Sequence, residues 1–418
     1  ISNFEGSVHN DIDLPKKQVQ SLRKETFGYF PFPIKWINGK WLVNIKDKEI
    51  PLGAEIVSIN EVPISEIIPK LYKYYTTDGN NLTGKRIGLM AHFSKYYRLN
   101  FGLTKSFIVS YVNPMTNKLE TKNIESIAYK SYYENFNKIH SLPLDLFYFA
   151  ELRENQKYNY KPLDSLTGIL TVHTFDLGNE TTKEHKKYQR FLDSIFIEIK
   201  TKKIKNLIVD VRNNRGGTDP NDLITYSYLT NRNFQENKEA WITFKKIPLL
   251  KYIDHKIPRF VRPLFVGKFN KEFQEIFPLE KDGQFYQDEN SDDHKIRTPN
   301  PNAFTGNVYL LTSPKIASAG SLFAAMLAGN ENTTTIGEET MGGYYGHNGH
   351  SPLSYQLPKS KLVMTFSVVN LEQDVPKKEN QKYDRGIMPN YEVTQTFDDF
   401  ITNTDTQMNF TIDLIKKK

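Results

Sequence analysis

Hydrophobic positions along the chain first recur in short aromatic and β-branched runs. Tyr29–Ile34 and Trp41–Ile45 are of this kind and predict strands. The stretch Ile50–Ile64 contains a further short strand, Glu55–Ile59, and a tight Asn60-Glu61 turn. A helix is expected over Ser65–Tyr72, with Ser65 as its cap. More strands are expected around Tyr97–Leu103, Phe107–Val112 and Lys118–Ile124, the last two joined by the turn Asn113–Asn117.

From Thr167 the spacing changes. Gly168–Phe175 reads as a strand, and Thr181-Thr-Lys-Glu184 has the form of a capping box. Tyr188, Phe191, Leu192, Ile195, Phe196 and Ile199 follow helical spacing, and Leu207–Val211 is a short strand of the fully buried type. Strand, helix, strand in this span is a parallel βαβ unit. Val308–Thr312, the small-residue helix Ala319–Leu327 ended by Gly329, and the strand Thr333–Gly337 repeat the arrangement. Tyr252–Pro301, rich in proline, charge and aromatics, reads as an insertion or a surface loop. The fold class is α/β, behind a β-rich N-terminal part.

Composition narrows the chemistry. A chain of 418 residues fits two or three domains. No run approaches the roughly 18 apolar residues of a membrane span. Cysteine is absent, which excludes disulfides, thiolate metal centres and a cysteine nucleophile. The net charge of +7 is dispersed, and the run Lys200–Lys205 falls where cations suit a helix C-terminus, so no nucleic-acid partner is expected. The sequence starts Ile1-Ser2-Asn3 without methionine, so a segment upstream is expected and the lack of a signal peptide says nothing of compartment.

Three segments carry possible chemistry. Asp210–Gly217 ends in paired glycines at the carboxyl end of a buried strand, where backbone N–H groups can face an anion or a developing oxyanion; it also reads as a plain Gly-Gly turn. Ala317-Ser318-Ala319-Gly320-Ser321 places a serine at a helix N-terminus, in positive potential, although most serines there are simple caps. Gly337–His350 is a glycine-rich loop with two histidines, better suited to facing a substrate than to holding a metal, since no acidic ligand stands at metalloenzyme spacing.

In this order the segments resemble the C-terminal processing (tail-specific) and tricorn-type serine peptidases. The family pattern Asp-x-Arg-x-Asn-x-Gly-Gly, Ser-Ala-Ser-Ala, Gly-Glu-x-Thr-x-Gly and Gly-Ile-x-Pro-Asp is matched by Asp210–Gly217, Ala317–Gly320, Gly337–Gly342 and Gly386–Asn390. The resemblance implies a crotonase/ClpP-like core of βαβ units with a PDZ-like β-rich domain near the N-terminus. The expected division is 1–28 as the remnant of a helical region carrying His9, 29–127 as the PDZ-like domain, and 128–418 as the core, with an insertion at about 250–301. It implies Ser318 as nucleophile, with the N–H of Ala319 and of Gly216 or Gly217 as oxyanion hole, and Gly342, Gly343, Tyr344 and His347 facing the substrate. The tail-specific lysine position is Gly343 here, and no lysine lies between Lys315 and Lys359. The tricorn-like branch takes a histidine from an early Gly/Ser-x-His motif, which Gly6-Ser-Val-His9 resembles, so His9 becomes the base; His347, His350 and His173 compete. Asp384 is the matching carboxylate, shifted by one because Tyr383 stands in the literal place, and Val8 replaces the branch's serine.

The implied activity is a serine endopeptidase acting on peptides or proteins through an acyl-enzyme, with no cofactor or metal, in the bacterial cell envelope or secreted. A catalytically silent peptide- or small-ligand-binding protein of the same fold, and a metal-dependent hydrolase using His347 and His350, are the alternatives.

Overall fold

The computed structural model describes residues 6–141, 157–253, 266–349 and 351–417. Near the N-terminus Asn38 and Gly39 both take positive φ, 45° and 83°, and fold the strands Ile34–Ile37 and Lys40–Val43 into a hairpin. Trp36 and Trp41 stand opposite each other across it. The sheet continues through Glu55–Ile59, Ser106–Val112 and Leu119–Glu125, leaving Ile34–Ile37 at one edge. Asn60 and Glu61 form the expected tight turn, both at positive φ. The helix that follows spans Ile64–Leu71 and begins after Pro63; Ser65 lies within it and does not cap it.

The expected strand at Tyr97–Leu103 is not one. Those residues lie at or just beyond the end of a 20-residue helix, Leu82–Phe101, capped by Asn81, whose side chain accepts from Gly84 N. Its buried Met90, Phe93 and Tyr97 follow helical spacing, and Phe93 meets Phe30 edge to face in the module's core. The aromatic content of the segment imitates a strand, but this stripe decides the matter. The helix Tyr129–Phe136 also packs here, burying Tyr132 and Phe136 with Tyr29, so the module continues past residue 127.

The second half is built on a six-stranded sheet in the order Tyr391–Glu392, Thr333–Gly337, Asn307–Thr312, Asn206–Asp210, Thr167–Val172, Tyr158–Pro162. All neighbours are parallel except the last pair. Both expected βαβ units are present, through the helices Lys183–Thr201 and Ala319–Ala328. Thr182 rather than Thr181 caps the first, accepting from His185 N. These helices cover one face of the sheet, burying Leu170, Leu207 and Leu310 with Leu192, Phe196 and Phe323. The C-terminal helix Thr406–Lys416 covers the other, over Ile169, Ile208 and Leu311.

Residues 237–286 contribute three strands to a second, five-stranded sheet that ends in Asn370–Gln373 and the edge strand Gly346–Asn348. Part of the expected insertion is therefore sheet rather than loop. The N-terminal strand Asp11–Asp13 pairs antiparallel with Val363–Phe366, which anchors the segment carrying His9 to the second half. Among the described residues no helix is long and apolar enough to cross a membrane.

Candidate active site

Asn307–Thr312 leads through five residues to Ser318, the residue before the helix Ala319–Ala328. Every residue of that helix is buried. Its small side chains let it sit against the sheet, so its first turn is held firmly. Ser318 takes φ 53° and ψ −137°, a conformation that residues with a Cβ rarely adopt. Its side chain is half-buried. Gly320 and Ser321 donate their N–H groups to Ala317 O, while the Ala319 N–H makes no hydrogen bond among the described residues. It is a free donor at the positive end of a helix.

The loop after Asn206–Asp210 lies against this turn. A Cβ on Gly216 would stand 2.8 Å from Ser318 Cβ and 2.9 Å from Ala319 N, and its φ is 103°, so only glycine allows the approach. Gly216 N donates to Asn214 Oδ1 at 2.9 Å, and its carbonyl accepts from Phe175 N at 2.9 Å. Asn214, fully buried, donates its Nδ2 to Val172 O at 3.2 Å. These bonds fix the loop and use up the Gly216 N–H, which leaves Gly217 of the two expected alternatives. The Gly217 N–H makes no hydrogen bond among the described residues. At the head of the loop burial alone would raise the Asp210 carboxyl, but the Arg212 guanidinium beside it outweighs burial and holds it below the usual value.

The segment carrying His9 lies against the glycine-rich loop. Val8 N donates to Asp78 Oδ1 at 2.8 Å, and Gly343 N donates to Asp78 Oδ2 at 3.0 Å. Ser7 Oγ donates to Asn348 O at 3.0 Å and accepts from His9 N at 3.2 Å. One buried carboxylate and one serine thus stitch the histidine segment to the glycine-rich loop. Burial pushes Asp78 up to about 7, although the two N–H groups act against it. The rings of His9 and His347 are 6.4 Å apart, and His347 Nδ1 lies 2.8 Å from Gln373 Nε2. The same loop reaches the Ser318 turn: a Cβ on Gly342 would come 2.1 Å from Ser321 Oγ and 3.4 Å from Ala317 Cα. Gly343, where the tail-specific lysine would stand, is thus the point at which the His9 segment attaches.

Other expected residues divide. Tyr344 is fully buried in the core and donates its hydroxyl to Pro376 O at 3.1 Å, so it supports the loop from beneath instead of facing a substrate. Asp384 is held by Asn80, whose Nδ2 donates to Oδ2 at 2.8 Å and pulls the carboxyl below its ordinary value. It lines a cavity of about 270 Å³ together with Asp78, Gly343 and His347. Beside it, Arg385 grips the buried Glu339. His173 lines a separate cavity with Asp210 and Arg212, and burial lowers its pKa. His350 lies outside the described residues. Among the described residues no three His, Asp or Glu side chains are arranged to hold a metal ion. Sequence reading missed Asp78 and Gln373. Asp78 sits in a polar stretch that reads as a cap for the helix after it, and its partners are 70 and 265 residues away in sequence.

The family model for peptidase family S41 matches residues 166–393, more than half of the chain, and that for the PDZ domain matches residues 26–137. No curated protein matches the sequence. Among solved structures, mature CPAF complexed with lactacystin aligns over 98% of this chain and 85% of its own, with a TM-score of 0.58 at 12% identity. Mature CPAF alone gives the same score and identity over 98% and 84%. A putative peptidase from Parabacteroides merdae is 18% identical over 62% of this chain and 64% of its own, with a TM-score of 0.40. At such identities the CPAF likeness is one of fold, and it spans both halves. Four ordered motifs, a parallel sheet that presents them at one end and the family match lead to the same place: this chain belongs to peptidase family S41, the C-terminal processing peptidases, and is a serine peptidase with a PDZ domain ahead of its catalytic core.

Proposed function

We propose that the protein is an endopeptidase that cuts polypeptide chains through an acyl-enzyme on Ser318. The observation that carries this reading is the strained Ser318 at the start of a buried helix, with the N–H groups of Ala319 and Gly217 uncommitted nearby. In this mechanism the neutral His9 imidazole takes the Ser318 Oγ proton as the oxygen attacks the scissile carbonyl carbon. The two N–H groups receive the oxyanion. The imidazolium then protonates the leaving amine, and water repeats the sequence to release the acyl group. Gly342, Gly343 and His347 border the bound peptide, which runs along the edge strand Gly346–Asn348. Asp384 acts from the rim, through its charge, rather than as a buried orienter.

A fluorophosphonate probe and a peptide-hydrolysis assay test this. Ser318→Ala is expected to abolish labelling and turnover, and His9→Ala to lower kcat by at least about a hundredfold. Labelling that survives Ser318→Ala overturns the reading. A His9→Ala variant with wild-type kcat moves the base to His347.

A further inference from the structure

Arg212 opens the loop that carries Gly217, and its guanidinium is gripped from two sides. Nε and Nη2 donate to Asp210 at 2.9 and 2.7 Å. Nη1 and Nη2 donate to the two oxygens of Asp405, both at 2.7 Å, and Nη1 reaches Gln407 Oε1 at 3.3 Å. Its carbonyl accepts from Ser313 Oγ, on the segment leading to Ser318. Arg212 is 5% exposed. Two residues on, Asn214 fixes Gly216. The direction of the guanidinium therefore sets where the oxyanion loop begins.

Asp405 comes from a distant part of the chain. It caps the helix Thr406–Lys416, accepting from Met408 N at 3.0 Å. Five residues earlier, Phe400 is fully buried against Ile37 and Leu42 of the PDZ hairpin. His140 Nε2 lies 3.0 Å from Phe400 O and 2.9 Å from Ile401 O, and Lys35 Nζ sits 5.7 Å from the Phe400 ring centre. The segment from Phe400 to Asp405 thus begins in the PDZ domain and ends on the oxyanion loop.

We propose that Asp405 is a positioning residue for the peptidase site: it orients Arg212, and with it the loop presenting the Gly217 N–H. The proposal rests on the serine-peptidase reading. Stability alone does not account for this carboxylate. Asp210 already neutralises Arg212, and the Asp405 side chain is 47% exposed, where an ion pair adds little to folding. Its contribution is directional: two parallel N–H···O bonds fix the plane of the guanidinium.

Asp405→Asn separates the roles, because asparagine caps a helix as well as aspartate but cannot form the paired charged bonds. The expected result is a kcat lowered by roughly tenfold to a hundredfold, with KM and melting temperature close to wild type, as for a loop donor displaced by a fraction of an ångström. Hydrogen exchange of the peptide spanning residues 212–217 is expected to quicken. A kcat within about twofold of wild type overturns the proposal. So does a loss of kcat that tracks a lower melting temperature and disappears on cooling. If the wild-type chain neither hydrolyses peptides nor labels at Ser318, the serine-peptidase reading falls, and exchange at 212–217 still decides the coupling: faster exchange in Asp405→Asn supports it, and unchanged exchange overturns it.

Discussion

At Ser318 the backbone holds a conformation that residues with a Cβ rarely adopt. A φ of 53° with ψ −137° costs a residue bearing a Cβ on the order of 1–3 kcal/mol. The fold sustains it because the helix behind is wholly buried and Gly216 fills the space in front. Alanine and glycine at this position both remove the hydroxyl, but only glycine releases the strain. Ser318→Gly is therefore expected to melt above Ser318→Ala, even though glycine adds about 0.5–1 kcal/mol of unfolded-chain entropy to overcome. Thermal melts of the two inactive variants check this. Equal melting temperatures, or the reverse order, would show that the turn is not strained.

Among the elements, the join between the His9 segment and the glycine-rich loop includes one buried carboxyl group. Asp78 is buried and accepts from both Val8 N and Gly343 N. Its folded pKa stands at about 7, against 3.8 for an ordinary aspartate. Between those values the folded chain keeps a proton that the unfolded chain has lost, so the unfolded state binds fewer protons and stability falls as pH rises. The loss starts near pH 4 and levels off above about pH 7. Its slope inside that window is on the order of 1 kcal/mol per pH unit at most. Asp78→Asn is expected to flatten this part of the stability profile. Urea titrations at pH 5, 6, 7 and 8 measure it, and an unchanged slope in the variant would assign the titration elsewhere. Ionisation strengthens both N–H bonds, so the join that places His9 tightens as the fold as a whole loses stability.

Across the whole molecule, the PDZ domain and the peptidase core are joined by more than sequence. Phe400 leaves the core to be fully buried among Ile37, Leu42 and Leu52. His140, near the end of the PDZ side, donates its Nε2–H to the carbonyls of Phe400 and Ile401 in the adjacent helix. Truncating a buried phenylalanine removes its burial energy and leaves a cavity, so Phe400→Ala is expected to cost about 3–5 kcal/mol, and Phe400→Leu much less. A lower urea midpoint for the alanine variant, with the leucine variant near wild type, is the expected outcome. A cost under about 1 kcal/mol for alanine would mean that the two domains are not held together at this point.

Much of this was legible along the chain. Buried strands such as Leu207–Val211 and Val308–Thr312 appear within a residue of their observed ends, because a fully buried parallel strand leaves a continuous apolar run. Ser318, Gly217 and Ala319 stand out along the chain because they sit in local motifs, where a strand must turn into a helix or a loop must pass close by. The helix Leu82–Phe101 was read partly as strand because its aromatics carry β propensity, and only burial against the sheet makes its 3.6-residue stripe count. Spatial pairing was beyond the sequence. That Asp78 ties Val8 to Gly343, that Asn214 claims the Gly216 N–H, that Tyr344 turns inward and that Asp405 grips Arg212 are matters of three-dimensional distance. Residues up to 265 positions apart meet there, and local propensity contains no term for such contacts. The sequence determined the buried strands of the sheet and the family motifs; tertiary structure alone decided which polar groups are already satisfied and which remain free to act on a substrate.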